Sequence, residues 1–137
     1  GRASHEAAPN QRGRRRLILS RGARGLELRA DGWWWRPDAV SFAEVAARLA
    51  PQGGRFAVPG GQGAFELFLR LGYAAFHLAR AEAATLPGGR AIFASVESGE
   101  TAATALRRVG LAPAAPRWLD EAARVSLTVF ARGAREI

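Results

Sequence analysis

The stretch Val58-Pro59-Gly60-Gly61-Gln62-Gly63-Ala64-Phe65-Glu66-Leu67-Phe68-Leu69 holds the residues best suited to receive a charged ligand. A short apolar run, Phe56 to Val58, ends in a glycine pair, and Phe65, Phe68 and Leu69 then recur at helical spacing. The pattern predicts a strand over 56–58, a tight turn, and a helix from Gln62 to Leu71 closed by Gly72. The first N–H groups of such a helix lack intrahelical partners and carry the positive end of its dipole, so they suit an anion. Glycine allows close approach of backbone to ligand and unusual dihedrals. Most pairs of this kind are plain turns, so phosphate binding needs support from elsewhere in the chain.

A second group of chemistry-bearing residues is basic. Arg12, Arg14, Arg15, Arg16, Arg21 and Arg24 cluster around one apolar run, Leu17-Ile18-Leu19. An arginine run grips phosphates, but it is more often a solvated surface, and a single anionic cofactor accounts for it equally well. Trp33-Trp34-Trp35 has the composition of a base-stacking platform. In a strand, however, at most two of the three share a face, and core or edge packing is the better reading. His5 and His77 read as surface or satisfied residues. No His, Asp and Glu grouping has metal-ligand spacing, and neither Glu66 nor Asp120-Glu121 forms a paired acid set.

These residues must be held by a chain of 137 residues, long enough for a core and expected to form a single domain over 1–137. The net charge is +8 and all the Lys/Arg-type residues are arginine, a bias expected of GC-rich coding. Cysteine is absent, which excludes disulfides, thiolate chemistry and zinc knuckles and fits a cytoplasmic protein. No apolar run approaches the roughly 18–20 residues of a membrane span, so no membrane partner is expected. Gly1 in place of an initiator Met marks the chain as processed, trimmed or one piece of a longer protein.

Residues 1–13 read as polar and irregular, Leu17 to Leu19, Leu26 to Ala30 and Trp33 to Trp35 as strands, and Asp31-Gly32 as a turn. Ser41 with Glu44 forms a capping box ahead of a helix that Pro51 and Gly53-Gly54 end. Further strands are expected over Tyr73 to Ala81, Arg117 to Leu119 and Val125 to Phe130, the last two as a terminal hairpin, with a turn at Leu86 to Gly89 and a helix over Thr101 to Val109. Strands and helices alternate in the middle of the chain, which predicts an α/β fold.

The order of these segments resembles the dihydrofolate reductase superfamily, which includes the bacterial dihydrofolate-reductase-like proteins and the reductase domain of riboflavin biosynthesis. Gly1-Arg2-Ala3-Ser4-His5-Glu6 is similar to the family's Gly-Arg-x-Thr-x-Glu segment, and RRRLILSR (14–21) to the strand that follows it. VPGGQGAFELFL (58–69) resembles its Gly-Gly strand–helix junction, and FHLARAEAATLPGGRAIF (76–93) its late strand, turn and short apolar segment. Together they span nearly the whole chain in the family's order.

The resemblance implies a mixed central sheet flanked by helices, with a C-terminal antiparallel hairpin. It also implies an NADPH site. Arg2 and Ser4 would face the cofactor phosphates at the start of a helix. Leu19, Ser20 and Arg21 would end a strand at the adenosine 2′-phosphate, a group that a guanidinium suits. Val58, Gly60 and Gly61, the glycines joined by a cis peptide in the family, would lie against the nicotinamide end. Gln62, Gly63, Ala64 and Phe65 would follow, with backbone N–H groups directed at the pyrophosphate.

The chain departs from the family pattern at several positions. The family's first strand and helix, with the usual catalytic acid and much of the pterin pocket, would lie before Gly1, so no catalytic residue is assigned. Phe65 stands where the family has a hydroxylated aromatic, Ala79 where folate reductases have a Thr, Ser4 in place of Thr, and Ala7 where a substrate-facing Ser is common. NADPH binding therefore carries over better than folate reduction. The expected reaction is hydride transfer to a pterin, a pyrimidine or a related small heterocycle. The missing segment is expected from an upstream piece, a partner chain or a swapped element in a homo-oligomer, which leaves the isolated chain inactive. The alternatives are a non-enzymatic binding or interaction module on the same fold and a basic nucleic-acid-binding domain.

Overall fold

Hairpin and helix signals in the first half of the chain shape its first sheet. In the computed structural model, which describes residues 2–8 and 14–133, β1 (Leu17–Leu19), β2 (Leu26–Arg29) and β3 (Gly32–Trp35) form a mixed sheet in the order β1-β3-β2. The β2–β3 hairpin turns at Ala30-Asp31, and β3 runs parallel to β1 with Ile18 opposite Trp34. Gly32 has φ 140°, and a Cβ there would meet the Arg16 carbonyl oxygen at 2.9 Å. Glycine at this position thus lets the hairpin close against β1. Trp33 and Trp35 point to one face and Trp34 to the other, as strand alternation requires. Trp34 and Trp35 are buried. The Trp35 indole donates to the Val40 carbonyl at 2.8 Å, and Arg48 lies over Trp33.

Two helices accompany this sheet. The first, α1 (Arg2–Ala7), falls where an irregular segment was expected. Alanines and an Arg2–Glu6 pair one turn apart at 3.1 Å favour the helix, and His5 ties it to Trp34 and Asp31. The second, α2 (Phe42–Leu49), carries the expected capping box: Ser41 Oγ accepts from Glu44 N at 3.2 Å, and Glu44 accepts from Ser41 N at 3.0 Å.

The strand expected over 56–58 does not form; residues 53–60 have no regular structure. Gly53 and Gly54 adopt φ 82° and 156°, and Pro59 brings no N–H for a ladder. Phe56 instead packs its ring on Phe42 at 5.1 Å. From there α3 (Gln62–Leu71) begins and ends at the expected residues, and Gly72 closes it at φ 103°.

The second sheet is antiparallel. β7 (Val125–Arg132) lies at its centre, with β4 (Ala75–Ala81) on one side and β5 (Leu111–Pro113) and β6 (Arg117–Asp120) along the other. The β6–β7 pair is the expected terminal hairpin. Asp120 Oδ1 accepts from Ala123 N at 2.8 Å within its turn. Two short elements carried no sequence signal: β5 and α4 (Ala94–Glu97). Phe76 opposite Phe130, with Phe93, Leu111, and Ala105 and Leu106 of α5 (Ala102–Arg108), makes a buried core, against which Phe65, Leu69, Tyr73 and Leu78 pack.

Backbone contacts divide the chain into two compact units, Gly1–Ala64 and Phe65–Ile137. Among the described residues the fold is mixed α/β, with two sheets in place of the single central sheet expected. Among the described residues no helix is long and apolar enough to cross a membrane.

Candidate functional site

The first unit contains an open cleft of about 590 Å³, lined by Arg2 and Ala3 from α1, Leu19 to Gly22 at the end of β1 and just beyond it, Arg29 from β2 and Trp34 from β3. Its volume lies within the range of small-ligand sites. β1 supplies one wall because Leu17-Ile18-Leu19 is an apolar strand that stops at Ser20. There Ser20 N still donates to the Trp35 carbonyl at 3.0 Å, while Ser20 Oγ accepts from Gly22 N at 3.1 Å. That short turn leaves Arg21 exposed at the cleft margin.

The charges of the cleft are unequal. Arg2 pairs with Glu6 at 3.1 Å, and Arg29 gives two hydrogen bonds to Glu27, at 2.6 and 3.1 Å. Arg21 has no ion-pair partner among the described residues. It is therefore the guanidinium available to an incoming anion. Glu27 is held below the usual carboxylate range by its bonds from the Arg29 side chain and then from Arg24 N, so it stays ionised and keeps Arg29 in place.

A polar network joins the cleft through Trp34. His5 Nε2 is 2.9 Å from Asp31 Oδ2, and Arg16 Nη1 is 2.9 Å from His5 Nδ1. A guanidinium only donates, so Nδ1 accepts and Nε2 carries the proton donated to Asp31. Asp31 Oδ1 also accepts from the Trp34 indole at 2.7 Å, and these two bonds, the indole's first, hold its carboxyl below the usual range. With only 10% of its side chain exposed, His5 is a fastening between α1 and the sheet, not the surface residue expected. His77 stands exposed on β4, opposite Val129.

Of the residues implied by the resemblance, the cleft unites Arg2, Leu19, Ser20 and Arg21. Ser4 lies exposed on α1 outside the lining, and Ala7 ends the same helix. Gly1 and Arg12 lie outside the described residues. Val58, Gly60, Gly61, Gln62, Gly63, Ala64 and Phe65 do not line this cleft. Gly61 has φ 90°, and a Cβ on Gly60 or Gly63 would meet no atom within 4 Å, so the backbone at the start of α3 is open to approach. The described peptide bonds include no cis bond, in contrast to the family's Gly-Gly link.

Ala64 is buried, and Phe65 packs on Phe76 and Phe93, with ring centroids at 5.5 and 6.4 Å. Glu66 accepts from Ala94 N at 2.6 Å and so caps the start of α4. Ala79 is exposed in β4 opposite Leu127. No group of three or more metal-ligating side chains occurs among the described residues.

Sequence reasoning missed Ala3, Gly22, Arg29 and Trp34 as lining residues. The hairpin register held the signal. Once Glu27 stands opposite Trp34, alternation puts Arg29 on that same face. No protein-family model matches the chain, and no curated protein or solved structure is significantly similar to it.

Proposed function

We propose that this chain is an NADPH-dependent reductase of the dihydrofolate-reductase-like class, with a pterin, a pyrimidine or a related heterocycle as hydride acceptor. The observation that carries this reading is the convergence of Arg2, Leu19, Ser20 and Arg21 on one cleft. They come from two segments, Arg2 and the consecutive Leu19, Ser20 and Arg21, for both of which the resemblance implies contacts to cofactor phosphates. Arg21, with no ion-pair partner among the described residues, suits a phosphate monoester, because a guanidinium meets phosphate oxygens with two parallel donors. The open backbone at Gly60, ahead of α3, and at Gly63, in its first turn, suits the approach of a pyrophosphate. Bound there, the cofactor would supply the hydride, and the chain's own residues would hold and orient it.

The test is titration with NADPH and, in parallel, NADH, followed through quenching of tryptophan emission, since Trp34 lines the cleft. NADPH binds saturably and more tightly than NADH. Arg21→Ala weakens NADPH at least about tenfold, the worth of one charge-assisted bond, and leaves NADH nearly unchanged. If neither nucleotide binds, the cofactor reading fails.

A second reading, a non-enzymatic module on the same fold, draws on Phe65. Its ring is engaged in the aromatic core of the second unit and has no hydroxyl to offer a substrate. On that reading NADPH is not oxidised with any pterin or pyrimidine acceptor.

A further inference from the structure

Arg29 is the cleft residue that the cofactor reading leaves without a role. It ends β2, opposite Gly32 in the hairpin register. Glu27 takes its Nε–H at 3.1 Å and an Nη2–H at 2.6 Å. On one side its Cζ stands 4.3 Å from the centroid of the Trp34 ring. The guanidinium is thus held along an edge by a carboxylate and over one face by an indole. A free arginine samples many rotamers, and this one is already ordered before any ligand arrives.

Its charge is largely answered by Glu27, so Arg29 is a poorer anion ligand than Arg21. What remains is a flat, preoriented surface: 40% of the side chain is exposed, and it lines the cleft. Guanidinium planes stack on nucleobases, and the larger ring system of a purine covers such a plane more fully than a pyrimidine does. Backing by Trp34 extends the stack to a second layer.

We infer that Arg29, seated on Trp34 and held by Glu27, is the platform on which the purine base of a phosphorylated nucleotide stacks while Arg21 takes its phosphate. The inference rests on the cofactor reading and adds to it the residue that recognises the base. It makes Arg29 a binding residue for adenine rather than a surface charge.

Calorimetric titration with adenosine 2′,5′-bisphosphate, and with inorganic pyrophosphate as a probe lacking a base, tests the assignment. Arg29→Lys keeps the charge and removes the plane. It should weaken the adenosine bisphosphate about tenfold, the scale of one stacked base, and change pyrophosphate binding less than twofold. Glu27→Gln, which loosens the clamp but leaves the guanidinium, should give a smaller loss in the same direction. Thermal unfolding of both variants checks that the sheet persists. Equal weakening of both probes by Arg29→Lys would make Arg29 a simple charge and overturn the inference, as would no weakening of either. In both cases the cofactor reading stands on its NADPH titration. If the wild-type chain binds neither probe, the cofactor reading falls and the base platform falls with it.

Discussion

Arg21 differs from the other two guanidinium groups of the cleft in having no carboxylate opposite it among the described residues. On the proposed cofactor reading, selectivity for the phosphorylated nucleotide would concentrate in this one side chain, and Arg21→Ala is the substitution that should separate NADPH from NADH. A residue in the second unit gives an independent reading of burial. Tyr73 is half-buried, its hydroxyl donates to the Phe65 carbonyl at 3.0 Å, and burial pushes the phenol from 10.0 up to about 12. The folded state holds this proton more tightly than the unfolded chain, so the stability it protects is complete below about pH 10 and is lost as pH rises toward 12. Denaturant unfolding between those limits should show an excess loss on the order of 1 kcal/mol in the wild type, discounted for partial exposure, that Tyr73→Phe lacks. Parallel pH slopes for the two proteins would refute it.

At the scale of elements, the segments with strong local chemistry formed where their residues demanded. The Ser41–Glu44 box fixes the start of α2, and Val45 and Leu49, four residues apart, put its apolar face inward. Ser41→Ala removes the acceptor for Glu44 N and should cost about 1 kcal/mol, lowering the melting temperature by about 3 °C in calorimetry. An unchanged melting temperature would show that tertiary burial alone holds α2. Segments with weak local chemistry behaved differently. The Phe56-Ala57-Val58 run has strand-like composition, yet positive-φ glycines before it and Pro59 after it leave no room for a ladder. Conversely, Arg2–Ala7 is polar enough to read as irregular and becomes a helix anchored through His5 to Asp31 and Trp34. No sequence period announces an anchor of that kind.

For the whole molecule, the net charge of +8 leaves two readings to separate, a small anionic cofactor and a nucleic acid. They differ in how many phosphates are neutralised. A nucleotide held by Arg21 and its neighbours should lose affinity with salt at a logarithmic slope of about −2. Duplex DNA or RNA spread over many arginines would give a slope of about −5 or steeper. Measuring NADPH and duplex affinities across 50–300 mM salt, roughly the range in which such slopes are read, decides between them. Salt-steep duplex binding tighter than NADPH binding would move the basic-domain reading ahead.

Much of the secondary structure was legible because its signals are local. Glycine at Gly72, the capping box at Ser41, alternation through Phe76 and Leu78, and the turn at Asp120-Glu121 each act within a few residues. Half of the candidate site was legible too, as Arg2, Leu19, Ser20 and Arg21, through the resemblance. Tertiary structure alone decided the rest. Strand pairing split the strands into two sheets, and the β2–β3 register brought Arg29 and Trp34 to the cleft with Glu27. Two of the three guanidinium groups at the cleft find carboxylates within their own elements, Arg2 with Glu6 and Arg29 with Glu27, and the tertiary fold brings all three guanidinium groups to one cleft. Local spacing sets which of these arginines has a carboxylate neighbour, but which of them meet at one cleft depends on strand pairing between segments that only folding brings together.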